Sequence, residues 1–439
     1  MHPLHPRPVT PYTLAALAIL ASVPGCSSSS SSPPANPLCG TTGRCIVFAP
    51  SAKESDIAGA FATVKDHDTI VFEAGTYAFT NQLAVGTANS VSIVGAGPTQ
   101  TIFDFHGQRA GEDGVFAQSI TDLRLEGFAI KDTPGNAVKV LGVTGATFRT
   151  MSVTWTAMDN TDGAYGLYPV QSSNVLIEGC TISGASDSGI YVGQSQNIVV
   201  RNNEAFGNVS GIEIENSFSA DVHDNRAHDN TAGILVFDLP GLQQEGGHSI
   251  RIFDNTITTN NTRNFAASGD IVAMVPAGVG FFVMANHDVE IFGNTFTGNQ
   301  TEAAAIVSYA TSQLTFNDPN YYEWPSKVFL HDNTYSGNGA QPDSYTQLGL
   351  LLGTGASAFP GGHVPDVLWD GFVDPAQPAG TDPMELCIQE PGASAVCTGH
   401  FDKLDTTNPD LSKTVTCDAT PFACTRPALP AVTWPGLTP

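Results

Sequence analysis

The sequence predicts an all-β chain folded as a single-stranded right-handed parallel β-helix, and three observations carry that expectation. Residues 174–182, 196–203 and 219–225 align under one another, and each line reaches a glycine-led apolar run: Gly189-Ile190-Tyr191-Val192, Gly211-Ile212-Glu213-Ile214 and Gly233-Ile234-Leu235-Val236. The repeat is short, with 23 residues from Cys180 to Asn203 and 22 from Asn203 to Asn225. The runs alternate with period two and are broken by Asn, Gly, Ser and Asp, which is strand and turn chemistry. One such coil cannot bury its own apolar side, whereas stacked coils share a continuous core. Leucine-rich repeats have a similar period, but their fixed leucines are missing here.

The alignment extends in both directions. Upstream first strands are expected at 91–94, 123–130 and 146–153, and downstream ones at 250–257, 289–296 and 328–335. One inward column results: Phe128, Met151, Cys180, Asn203, Asn225, Asn255, Asn294 and Asn333. Stacked asparagines at a tight bend can bond one another and the turn backbone, so they are read as structure. The lengthening of later coils places surplus residues in loops at 156–165, 237–248, 260–277 and 309–326, where insertions on a solenoid tend to share one face. Residues 54–64 carry apolar positions at helical spacing and are expected to cap the open end of the first coil.

Composition narrows the function. Lys and Arg total 17 against 42 Asp and Glu, a formal charge of -25, so no nucleic-acid partner is expected. The chain is expected to work as a monomer. Arg7 precedes an apolar run at 14–21, followed by Val23-Pro24-Gly25-Cys26 and a serine run at 27–32. This resembles a bacterial lipoprotein signal, which implies cleavage of residues 1–25, lipid on Cys26, and membrane contact through that anchor only, in the cell envelope at the outer membrane or cell surface. The remaining divisions are a Ser/Pro-rich tether at 26–38, a cap at 39–80, the β-helix at 81–358 and a Pro-rich tail at 359–439. Export suits disulfides, and sequence proximity suggests Cys39 with Cys45, Cys387 with Cys397 and Cys417 with Cys424; Cys180 is left as a buried thiol.

Alternation also assigns outward residues. The second strands present Tyr168, Tyr191, Glu213 and Leu235 one above another, with Asp162, Asp187, Glu215 and Asp238 nearby. Aromatic faces beside carboxylates suit a polysaccharide, for which Tyr165, Tyr191, Glu213, Glu215, Asp238 and Trp324 are the expected binding residues. The first strands present Glu178, Arg201, His223, Phe253, Phe292 and His331. A catalytic set of Tyr168, Arg201 and His223 is expected, with Arg201 neutralising an acidic group and His223 moving a proton. The loops add His248, His287, Asp288 and the aromatic run Tyr321-Tyr322-Glu323-Trp324. No zinc spacing or phosphate loop is present and no metal ligands are assigned; the acid excess is compatible with Ca²⁺, although no ligand loop is recognisable.

Together the cap, the Asn-rich coils and the Gly-aliphatic strands resemble the pectate-lyase-like superfamily, in particular β-helix proteins with carbohydrate-binding and sugar-hydrolase repeats. Tyr165-Gly166-Leu167-Tyr168-Pro169-Val170-Gln171 resembles the segment where mannuronan C5-epimerases carry Tyr-Gly-Phe-Asp-Pro-His followed by an acid. Tyr165, Gly166 and Pro169 match, whereas the catalytic Asp and His fall on Tyr168 and Val170 and the acid on Gln171, so epimerase activity is not carried over. The resemblance implies a polysaccharide-binding protein that cleaves or modifies its ligand by lyase-like or epimerase-like chemistry. The alternative is a non-catalytic surface-binding or adhesion module.

Overall fold

Each repeat folds as one coil of three strands, for example Gln196–Arg201, Glu204–Phe206 and Ser210–Glu215. Alternation sets what each strand buries: Ile198, Val200, Ala205, Ile212 and Ile214 all point inward and are at most 1% exposed. The computed structural model describes residues 36–376, 384–405 and 407–437. The signal, Cys26 and most of the tether lie outside them.

Among the described residues, stacking the coils makes three sheets of 12, 11 and 10 strands. The first sheet holds strands such as Gln196–Arg201, the second those such as Ser210–Glu215, and the third the short strands such as Glu204–Phe206. Neighbouring strands in all three sheets run parallel and come from successive coils, so residues one coil apart sit side by side, as in Tyr191 beside Glu213 and Arg201 beside His223.

The corner between the first and third sheets explains the sequence column. Gly179, Asn202, Asp224, Asp254, Gly293 and Asp332 all have φ between 53° and 66°, a region Gly, Asn and Asp tolerate better than other residues. The next residue points inward. Asn203 Nδ2 donates to Ile177 O and to Asn225 Oδ1, and Asn225 Oδ1 also accepts from Asn203 N, each at 3.0 Å. The pattern repeats through Asn255, Asn294 and Asn333 and ends on Glu390. A second ladder stacks Asn208, Asn230, Asn260, Asn299 and Asn338 at the end of the third-sheet strands and stops on Asp366. Buried amides left unpaired are costly, so both ladders satisfy turn backbone that has no sheet partner.

At the N-terminal end the helix Glu54–Ala62 turns Ile57 and Phe61 onto the core. The sheets extend beyond the expected 81–358, from Cys45–Phe48 at one end to Val367–Trp369, Cys387–Gln389 and Val396–Thr398 at the other.

Two expected disulfides are corrected. Cys39 does pair with Cys45, but Cys387 pairs with Cys424 and Cys397 with Cys417. Cys387 lies in the first sheet and Cys397 in the second, so nearness in sequence does not bring them together. The disulfides mark an extracytoplasmic protein. Cys180 is buried and free, and burial pushes its thiol up to about 12.

Beyond Cys424 the chain runs back across the outer face of the first sheet. Leu429 N donates to Glu290 Oε2 at 2.8 Å, and Val432 N donates to Asp221 Oδ2 at 3.1 Å. Val432, Trp434 and Leu437 then cover Leu176 and Val199.

Candidate active site

The outer face of the second sheet brings three tyrosines and three carboxyl groups into one cluster. Tyr165–Val170 supplies Tyr165 and Tyr168, Ser188–Gly193 supplies Tyr191, and Ser210–Glu215 supplies Glu213 and Glu215, while Asp187 directly precedes its strand. The tyrosine rings touch pairwise, with centroids 4.5 Å (Tyr165–Tyr168), 4.6 Å (Tyr165–Tyr191) and 4.9 Å (Tyr168–Tyr191) apart.

Gly193 makes this possible. A β-carbon there would lie 2.4 Å from Tyr191 Oη, so the ring crosses its own strand over bare backbone. The hydroxyl thereby reaches the next coil and donates to Glu215 Oε1 at 2.5 Å. Tyr165 lies beside Asp187 and favours its carboxylate form. Ser188 Oγ contacts both Asp187 Oδ1 and Glu213 Oε2. A hydroxyl has one proton to give, so the second contact calls for a proton on a carboxyl group.

Electrostatics agree with that count. Burial, opposed by the bond from Ser188 and by Tyr165, raises Asp187 to about 7. Burial also raises Glu215 to about 7, against the bond from Tyr191 and with help from the Asp187 charge. Glu213 is pushed well above the carboxylate range by burial and then by Asp187 and Glu215. Desolvation likewise raises Tyr165 and Tyr191 far above an ordinary phenol, so both remain proton donors, and it takes Tyr168 to about 12. Acids held near neutrality beside fixed donors are the environment in which general acid and base roles are set.

The N-terminal rim of the cluster comes from the preceding coil. Lys139 Nζ lies 5.1 Å from the Tyr168 ring centre, and Asn136 links Asp113 (2.8 Å) to Tyr165 N (3.3 Å). On the opposite side the face turns apolar: Leu235, Phe237, Phe282 and Met284 are sealed by Val272, Val275, Tyr309 and Tyr321 from two of the long loops.

Other expected site residues lie elsewhere. Arg201 and His223 sit on the first sheet, so the set with Tyr168 does not assemble. Arg201 bonds Glu178 at 2.8 Å, which also holds Arg149, and His223 bonds Asp224 and stacks on Phe253 at 4.6 Å. Asp238 is fully buried and accepts from Gly246 N and Gly247 N, organising its loop, and burial raises it to about 6. Trp324 stands edge-on to Tyr322 near His287. Tyr165, Tyr191, Glu213 and Glu215 do come together. Their partners Ser188, Asn136 and Lys139 were not singled out in the sequence. Ser188 aligns with Tyr165 one coil earlier, and the strand Asn136–Leu141 breaks the glycine-led pattern of its neighbours.

Among the described residues no group of His, Cys, Asp and Glu has metal-holding geometry. No helix among them is long and apolar enough to cross a membrane.

Residues 91–241 match the family described as right handed beta helix region. The fold is a right-handed parallel β-helix. No curated protein matches the sequence. Solved structures similar to this β-helix include the A-module of an Azotobacter vinelandii mannuronan C-5 epimerase, 15% identical over 62% of this chain and 87% of that one, with TM-score 0.29. A Thermotoga maritima exopolygalacturonase is 12% identical over 63% and 76%, with TM-score 0.43. A polygalacturonase from Erwinia carotovora ssp. carotovora is 11% identical over 68% and 94%, with TM-score 0.46. At these identities the likeness is one of fold.

Proposed function

We propose that the protein is an exported, Cys26-anchored enzyme that binds a polysaccharide against Tyr165, Tyr168 and Tyr191 and cleaves it by acid–base chemistry on Asp187, Glu213 and Glu215. One observation carries the reading: three touching aromatic rings lie against three buried carboxyl groups whose proton affinity is raised by burial. Aromatic faces take the apolar side of a sugar ring, and a protonated carboxyl donates to a glycosidic oxygen while a second carboxylate activates water or attacks carbon. Glu213, 1% exposed, is a buried proton reserve behind Ser188, which joins it to Asp187. Asp187 and Glu215, titrating near 7, supply the group that changes state.

This favours hydrolysis over β-elimination. Elimination by a tyrosine base needs a phenolate, which burial opposes at Tyr165, Tyr168 and Tyr191.

The test is a panel of neutral and acidic polysaccharides incubated with the exported chain. Reducing ends without ultraviolet-absorbing unsaturated products support the proposal, together with at least a hundredfold loss in Glu213→Gln and Glu215→Gln variants that remain folded. Unsaturated products would replace hydrolysis with elimination. Binding without any product would leave a recognition module.

A further inference from the structure

Where the loop ending at Trp324 returns to the first sheet, a cleft of about 500 Å³ opens between His248, His287, Tyr322 and Lys327. It lies at a different corner of the coil from the tyrosine–carboxyl cluster and shares no residue with it. Its volume suits a small ligand such as a single sugar unit.

The two histidines stand at paired positions on neighbouring strands, His248–Phe253 and His287–Phe292. Each uses Nδ1 on a serine hydroxyl, His248 on Ser249 Oγ at 3.0 Å and His287 on Ser326 Oγ at 2.8 Å. Both Nε2 atoms are therefore left for other partners. Burial lowers His287 to about 4, so its ring is neutral, and the tautomer in which Ser326 donates to Nδ1 would make Nε2 a donor.

The charges around the cleft are unequally committed. Arg426 takes both nearby acids, Glu385 at 3.1 Å and Asp288 at 3.9 Å. Among the described residues the Lys327 ammonium has no hydrogen-bond or ion-pair partner, and its side chain lines the cleft. Tyr322, its ring centre 5.1 Å from that of His287, adds an aromatic wall. The result is an unpaired cation and imidazole N–H donors beside an aromatic surface, in a chain whose formal charge is -25.

We propose that this cleft is a second, non-catalytic site for an acidic sugar unit, its carboxylate or sulfate oxygens on Lys327 and the histidine N–H groups and its ring against Tyr322. Charge-assisted bonds from lysine would hold the acidic group, and the aromatic wall would distinguish a sugar from a bare anion.

The exported chain would be titrated by calorimetry and NMR with glucuronate, glucose 6-sulfate, glucose and inorganic sulfate. Binding of either acidic sugar at least tenfold tighter than glucose and inorganic sulfate supports the site, as does a tenfold or greater loss in both Lys327→Gln and His287→Phe with unchanged circular dichroism. Glucose binding as well as the acidic sugars, no binding of either acidic sugar, or an unaffected Lys327→Gln variant would overturn it. Inorganic sulfate binding as tightly as the sugars would reduce the cleft to a plain anion site and also overturn it. Polysaccharide cleavage is read separately, so failure here leaves the tyrosine–carboxyl assignment standing.

Discussion

Tyr191 Oη donates to Glu215 Oε1 at 2.5 Å, joining two successive coils across the gap that Gly193 leaves. This bond lowers the affinity of Glu215 for its proton, against the effect of burial. Tyr191→Phe should therefore raise the Glu215 pKa and move the pH dependence of cleavage upward, with a stability loss of about 1–3 kcal/mol from the unpaired group. Gly193→Ala should displace the Tyr191 ring and reproduce the upward shift. Carboxyl-carbon NMR titration and pH–rate profiles check both; an unmoved Glu215 titration in either variant contradicts the linkage.

Asp187 and Glu215 give a second prediction. Their folded pKa values near 7 lie above the value near 4 of an unfolded carboxyl, so the folded chain binds protons that the unfolded chain does not. Their contribution is fully present below about pH 4 and is lost as pH rises through about 7. His287, whose pKa is lowered, works with the opposite sign between about pH 4 and 6.5. The informative quantity is thus the difference between wild type and Asp187→Asn in urea melts from pH 5 to 8. The variant should gain relative stability as pH rises, by an amount on the order of a few kcal/mol; a constant difference would count against a raised Asp187.

The asparagine ladder predicts a larger local cost. Asn225 accepts from Asn203 N and donates to Val200 O and Asn255 Oδ1, all in buried surroundings. Asn225→Ala should lose roughly 2–4 kcal/mol in chemical denaturation because neighbouring polar groups are left without partners. A loss below about 0.5 kcal/mol would mean that the neighbours find other partners.

Non-reducing peptide mapping should recover Cys387 with Cys424 and Cys397 with Cys417. Replacing Cys397 and Cys417 together by serine opens a link between residues 20 apart and should cost about 3 kcal/mol. Cys180 should react with thiol reagents only on unfolding.

The sequence disclosed those parts of the molecule that repeat. Alternation and the spacing of Cys180, Asn203 and Asn225 are local, and they predict the coils, the inward column and the stacking of Tyr168, Tyr191 and Glu213. The second ladder from Asn208 to Asn338 has the same spacing and was available to the same alignment. What alternation does not reveal is cover. Glu213 points away from the core yet is only 1% exposed, because neighbouring side chains such as Ser188 pack around it. The disulfide partners likewise depend on which coil meets which tail, information that period-two patterning does not contain, whereas Lys139 lies in register beside Tyr168 and was open to the same alignment.

The segment that doubles back over the first sheet gives the stack a property its repeats lack. Nearest-neighbour coils can fray from an end one at a time. Here Val432 is bonded to Asp221, 211 residues earlier in sequence, and Cys424, a few residues before it, is tied by its disulfide to Cys387 in the last strand of the first sheet. The terminal coils are therefore clasped to the middle of the solenoid, and loosening either should loosen the other. Docking of the clasp therefore turns a graded ladder of stabilities into a single cooperative unit.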